Sequence, residues 1–141
     1  MEFGSFMLGH VLLREGRIDE ALPQLQPVPA GDSYALAREC RPDARTTKCD
    51  EAAKRSEASF LAIPDADAWY FGASMLAWAG KEQPALRLLD AGAKHNFCTY
   101  PSLDRDTMFD SIRNAPAFRE ARQTAIACRD KFAPYTKIRI P

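Results

Sequence analysis

Apolar positions along the chain recur at helical spacing almost throughout. Phe6, Leu8, Val11, Leu12 and Leu13 precede Gly16, a run that predicts a helix stopped by a glycine in the left-handed conformation. Ile18, Ala21, Leu22 and Leu25 define a second helix over Ile18–Gln26, with Pro23 in an early turn or bending it. Pro27–Ser33 is a loop whose last two residues, Asp32 and Ser33, can cap the next helix. Tyr34–Arg41 is a short helix stopped by Pro42, and Asp43–Lys48 is a polar loop. Cys49, Ala53, Ser56 and Phe60 share one face of a helix to about Ile63, ended by Pro64. Asp65 or Asp67 can cap Ala68–Ala79, and Gly80 ends it. Glu82–Lys94 is the sixth helix, with Pro84 tolerated in the first turn. Asn96–Arg105 is irregular. Asp106 can cap a short helix through Ile112, and Asn114 a long one over Pro116–Phe132 that presents Phe118, Ala121, Ala125 and Cys128. Ala133–Pro141 is a frayed tail. No alternating pattern recurs, so the fold class is all-α, with short loops between antiparallel neighbours.

Two of these helix pairs superimpose without a gap. Leu8–Leu25 reads LGHVLLREGRIDEALPQL and Gly72–Leu89 reads GASMLAWAGKEQPALRLL. Leu8 and Gly9 meet Gly72 and Ala73, Leu12 meets Leu76, Gly16 meets Gly80, Ala21 meets Ala85 and Leu25 meets Leu89. Small residues at 9, 73, 21 and 85 allow close helix approach, and Trp69, Leu76 and Leu89 fill the space beside them.

At these residues the chain resembles a tetratricopeptide repeat, whose columns are a Trp, a Leu-Gly pair, a large residue, a Gly, an Ala and a large residue. Trp69 fills the Trp column, and Ser5 stands there in the first copy, a departure from the pattern. The resemblance implies clear repeats at about 6–28 and 66–97 and a degenerate one at about 33–64, whose first helix Pro42 breaks. Tyr100–Gln123 is similar, more loosely, to the closing cap of such arrays in bacterial multi-domain regulators, placing a cap at about 106–132. The implied fold is a short right-handed solenoid of stacked antiparallel pairs.

Composition narrows the classes further. A chain of 141 residues suits one domain and can bury roughly 68% of its unfolded surface. Lys and Arg total 19 against 19 Asp and Glu, without the basic excess that gripping nucleic acid requires. No apolar run is long enough to span a membrane; Ala66–Gly80 is the nearest and is too short. The opening Met1–Ser5 reads as a cloning remnant, because Glu-Phe and Gly-Ser are what two common restriction sites encode. On that reading the chain is excised from a longer protein.

Motifs for chemistry are sparse. A phosphate loop, a Gly-x-Ser-x-Gly elbow and His-Glu-x-x-His are all missing from the sequence. The two histidines, His10 and His95, fall on different elements, and Asp104–Asp106 reads as a capping turn rather than a carboxylate site. The four cysteines form no C-x-x-C pair, and a mixed site of Cys40, Cys49, His95 and Cys98 has no diagnostic spacing. Buried free thiols and disulfides both remain open. The favoured pairing is Cys98–Cys128, with Cys40–Cys49 as a second; closure of those loops gives about 3.5 and about 2.7 kcal/mol, in an oxidising compartment.

The expected function is therefore a non-catalytic scaffold, without cofactor, that holds a protein or peptide on the concave face lined by the first helix of each pair. The groove candidates are Phe6, His10 and Arg14 in the first repeat and Tyr70, Ser74 and Trp78 in the second. No basic cluster equivalent to a carboxylate clamp is present. The alternative is a spacer, sensory or dimerisation module of a bacterial regulator, self-associating through an apolar flank at its N-terminal end near Phe6 and Leu13. Its place would be the bacterial cytoplasm or the extracytoplasmic side of a membrane-anchored parent.

Overall fold

The computed structural model describes residues 2–26 and 32–136, without the side chains of residues 2, 3 and 134–136. The described residues are helical with no strand: α1 (Glu2–Arg14), α2 (Ile18–Leu25), α3 (Ser33–Glu39), α4 (Cys49–Leu61), α5 (Ala66–Trp78), α6 (Glu82–Lys94), α7 (Ser102–Arg105), a 3-10 turn (Thr107–Phe109) and α8 (Pro116–Thr136). No helix among them is long and apolar enough to cross a membrane.

Three hairpins, α1–α2, α3–α4 and α5–α6, succeed one another along the chain; α4 packs on α5 and α6, and α8 packs on α6. The sharp reversals come from the expected glycines. Gly16 and Gly80 take positive φ, and the next amide reaches back to the third-last helical carbonyl, Arg17 N–H to Leu12 O at 2.9 Å and Lys81 N–H to Leu76 O at 2.8 Å. Asn96, also at positive φ, closes α6 in the same way through Phe97 N–H and Gly92 O. These are Schellman closures, which satisfy carbonyls the helix would leave bare.

The matched columns form the core. Leu12, Ala21 and Leu25 are buried in the first hairpin, and Leu76, Ala85 and Leu89 in the third. Trp69 is buried and its indole N–H donates to Ile63 O at 2.9 Å, whereas Ser5, in the same column, donates to Gln24 Oε1 at 2.9 Å. The shared face of α4 is confirmed by burial of Cys49, Ala53, Ser56 and Phe60. Two columns split. Gly72 and Met75 are buried, and a Cβ on Gly72 would stand 2.5 Å from the Phe60 ring on α4. Their counterparts on α1, Leu8 and Val11, are 46% and 47% exposed.

Several boundaries differ from expectation. α1 begins at Glu2, so the segment read as a cloning remnant enters the helix. Phe6 and Leu13, expected on an exposed flank, are buried, because they face the core while Leu8 and Val11 face out. α2 runs through Pro23, without the bond that residue's missing N–H would have given the Asp19 carbonyl. Asp32 is left-handed and makes no capping bond. α3 stops at Glu39, and Thr46 N–H returns to Glu39 O. Asp65, not Asp67, caps α5, its Oδ1 accepting from Asp67 N–H. Within the stretch expected to be irregular, Ser102–Arg105 is helical. Asp106 does cap, but what it opens is a 3-10 turn, with Met108 N–H donating to Oδ1. Ala115 rather than Asn114 accepts the first bond of α8, from Arg119 N–H. α8 extends through Ala133–Thr136, residues expected to fray. The rest of that tail, and 27–31 of the expected loop, lie outside the described residues.

All four cysteines are paired, Cys40 with Cys49 and Cys98 with Cys128. The mixed set of Cys40, Cys49, His95 and Cys98 is thus divided between two bonds. The first bond ties the end of α3 to the start of α4, and Arg45, in the loop between, donates to Ala79 O at 2.7 Å at the end of α5.

Candidate functional site

Side chains of α1 and α5 meet: Phe6, His10 and Arg14, four apart on α1, reach Phe71 and Ser74, three apart on α5. Phe6 and His10 on α1 set their rings against Phe71 on α5, at centroid distances of 5.8 and 5.2 Å. One turn on, Arg14 faces Ser74, Nη2 to Oγ 3.4 Å. α3 is seven residues long, about 10 Å of helix, and does not keep the two apart.

An open cleft of about 620 Å³ lies between α1, α5 and residues 101–107. Met7, Val11 and Phe71 supply apolar wall on one side, and Pro101, Arg105 and Thr107 face them from the other. Arg14, Tyr70 and Asp106 join the two sides. Arg14 Nη2 and the Tyr70 hydroxyl both donate to Asp106 Oδ2, each at 2.8 Å. Arg14 Nη1 donates to His10 O at 3.1 Å and faces His10 Nδ1 at 3.4 Å. A guanidinium can only donate, so His10 Nδ1 accepts and the ring proton sits on Nε2. That Nε2 is buried with no hydrogen-bond partner.

Electrostatics result from this packing. Burial first, then the Arg14 charge, hold the His10 pKa down to about 3, against a smaller opposing pull from Asp106; the ring is neutral at physiological pH. Tyr70 is pushed well above the ordinary phenol range by burial and by the Asp106 carboxylate. The group is therefore a hydrogen-bonded network in which the Tyr70 hydroxyl keeps its proton and the His10 ring stays uncharged.

Five of the six groove candidates come together here: Phe6, His10 and Ser74 as buried support, Arg14 and Tyr70 at the cleft. Trp78 does not join them. The stripe Tyr70–Ser74–Trp78 runs on past Arg14, where α1 has ended, and Trp78 packs half-buried against the core. Sequence reasoning missed Asp106 as the anchor of the network and Arg105 as a wall. Capping chemistry did single out Asp106, but nothing in the pattern brought it to Arg14.

Two smaller depressions lie elsewhere, one between α6 and α8 and one beside Trp69 and His95. No cluster of potential metal ligands occurs among the described residues. No protein-family model matches the chain, and no curated protein or solved structure matches it.

Proposed function

We propose that the chain is a tetratricopeptide-like binding scaffold, its three hairpins stacked as a short solenoid, that holds a segment of a protein partner in the cleft between α1, α5 and residues 101–107. The observation that carries this reading is the cleft's construction: the first helix of each of the two matched hairpins supplies one side of it, and residues 101–107 supply the other. In a stacked array those helices line the concave face. The floor is tied internally through Arg14, Tyr70 and Asp106, so recognition falls to the rim, where Met7 and Val11 offer apolar surface and Arg105 a side chain exposed to solvent. Apolar and arginine side chains together are typical anchors of such contacts.

Placing a photo-crosslinking residue at Val11, and separately at the exposed Glu51 on α4, tests the reading in extracts of the source organism. Adducts to a defined partner at 11, absent at 51 and abolished by Arg105→Glu, support it. Equal adducts at both positions, or none at either, would remove the cleft from consideration.

A second reading, a spacing or self-associating module of a larger regulator, is favoured by one observation. Leu8 and Val11 are exposed where their counterparts, Gly72 and Met75, are buried, Gly72 against Phe60 of the preceding hairpin. Sedimentation of the chain beside Leu8→Glu/Val11→Glu discriminates: self-association lost in the variant supports this reading, and a monomer in both counts against it. Two disulfides also favour an oxidising compartment for either role.

A further inference from the structure

The two disulfides differ in what surrounds them. Cys40 and Cys49 are 0% and 2% exposed and belong to the main core cluster. Cys98 and Cys128 are both partly open to solvent. Exchange with a thiol requires in-line access of a thiolate to one sulfur, so access ranks the two bonds before any other factor.

What the accessible bond holds is also distinct. On α8 the last buried residue is Ala125; none from Ile126 to Ala133 is buried. Polar, cation–π and covalent contacts bind that half of the helix to the loop after α6. Lys131 Nζ donates to Asn96 Oδ1 at 3.3 Å, Arg129 lies over the Tyr100 ring at 4.7 Å, and between them stands Cys98–Cys128. The Lys131 and Arg129 contacts are exposed and each contributes little.

We infer that Cys98–Cys128 is a thiol–disulfide exchange site, open to low-molecular-weight thiols in the folded protein, and that its reduction releases the second half of α8. Cys40–Cys49 stays closed under the same conditions. In the reaction a thiolate attacks one sulfur of the pair, forming a mixed disulfide and expelling the other cysteine as thiolate. A second thiol then attacks the mixed disulfide. Two thiols leave as one oxidised disulfide, and Cys98 and Cys128 remain as two thiols carrying the two electrons and two protons. The groove between α6 and α8 is lined by Phe97 and Thr99, the neighbours of Cys98, and by Thr124 and Ala125, one turn before Cys128. Its width at that end is set by this bond. This inference is independent of the proposed binding cleft, which lies on α1 and α5.

The test is graded reduction of the native protein with dithiothreitol at neutral pH, trapping by iodoacetamide and peptide mass spectrometry. Cys98 and Cys128 are expected to be alkylated together, at least about tenfold faster than Cys40 and Cys49. Amide exchange over 126–133 is expected to rise by about tenfold in that partly reduced species while α4–α6 are unchanged. Labelling of all four cysteines in step, of Cys40 and Cys49 first, or unchanged exchange in α8 would overturn the inference. Cys98→Ser/Cys128→Ser is expected to give the same exchange pattern without reductant. Failure of that variant to fold would equally overturn it, since release without unfolding is what the inference requires.

Discussion

Arg14 Nη2 lies 2.8 Å from Asp106 Oδ2, joining residues ninety-two positions apart. The Asp106 side chain is 8% exposed and that of Arg14 24%, so removing one partner leaves the other largely desolvated. Asp106→Ala is expected to cost about 2–3 kcal/mol, toward the lower end for a broken buried pair, because Arg14 keeps some contact with water. Urea denaturation measures it. A loss near the few tenths typical of exposed pairs would show that solvent screens the contact.

Stability should fall on mild acidification, and the cause is His10. Its folded pKa, about 3, lies below the ordinary value of 6.5. Between these values the unfolded chain binds a proton that the folded chain refuses, so stability is lost as pH falls through the window. Between pH 6.5 and roughly 4.5, before most carboxylates titrate, the slope should approach about 1.4 kcal/mol per pH unit. Urea midpoints at half-unit steps should show this slope in the parent chain and lose most of it in His10→Phe.

Two helical glycines make opposite predictions. A Cβ at Gly72 would stand 2.5 Å from Phe60 Cγ and 3.0 Å from Leu88 Cδ1, so Gly72→Ala should cost about 1–3 kcal/mol through overpacking. Around Gly4, in α1, a Cβ meets nothing within 4 Å, and Gly4→Ala should stabilise by up to about 0.5–1 kcal/mol through reduced backbone entropy. Thermal melts of the two single variants decide. If both move the same way, close approach at Phe60 does not govern Gly72.

Loop length and burial disagree about the disulfides. Closure entropy ranks Cys98–Cys128 above Cys40–Cys49, about 3.5 against about 2.7 kcal/mol. Yet loss of the first bond can be absorbed by fraying of the outer half of α8, while loss of the second loosens packing where α3, α4 and the end of α5 meet. The global midpoint should therefore drop further for Cys40→Ala/Cys49→Ala than for Cys98→Ala/Cys128→Ala. The reverse order would return the explanation to loop closure.

Helix positions were legible because periodicity and punctuation agreed. Gly16, Gly80 and the apolar columns 12/76 and 25/89 act locally, and local signals survive in one dimension. Helix faces were less so: Phe6 and Leu13 are as apolar as Leu8 and Val11, and only the neighbours α2 and α5 decide which pair is covered. The cleft was half legible. The stripes 6–10–14 and 70–74 come from helix geometry once the two hairpins are aligned, but Asp106 enters through a tertiary return of the chain that no spacing encodes. Trp78 lies outside this cleft for a simple reason: its stripe continues where the opposing helix has stopped.

The direct contact of α1 with α5 has a consequence for how the molecule comes apart. A linear array whose units touch only their neighbours can lose an end unit while the rest stays folded. Here the first hairpin is fastened to the third through Phe6, His10 and Phe71, and to the segment before α8 through Arg14 and Asp106. Unfastening the first hairpin thus exposes a face of the third, so the energetic penalties of the two events are shared. The chain should melt as one cooperative unit, with amides of α1 and α5 opening together, and Arg14→Ala should split that single transition into two.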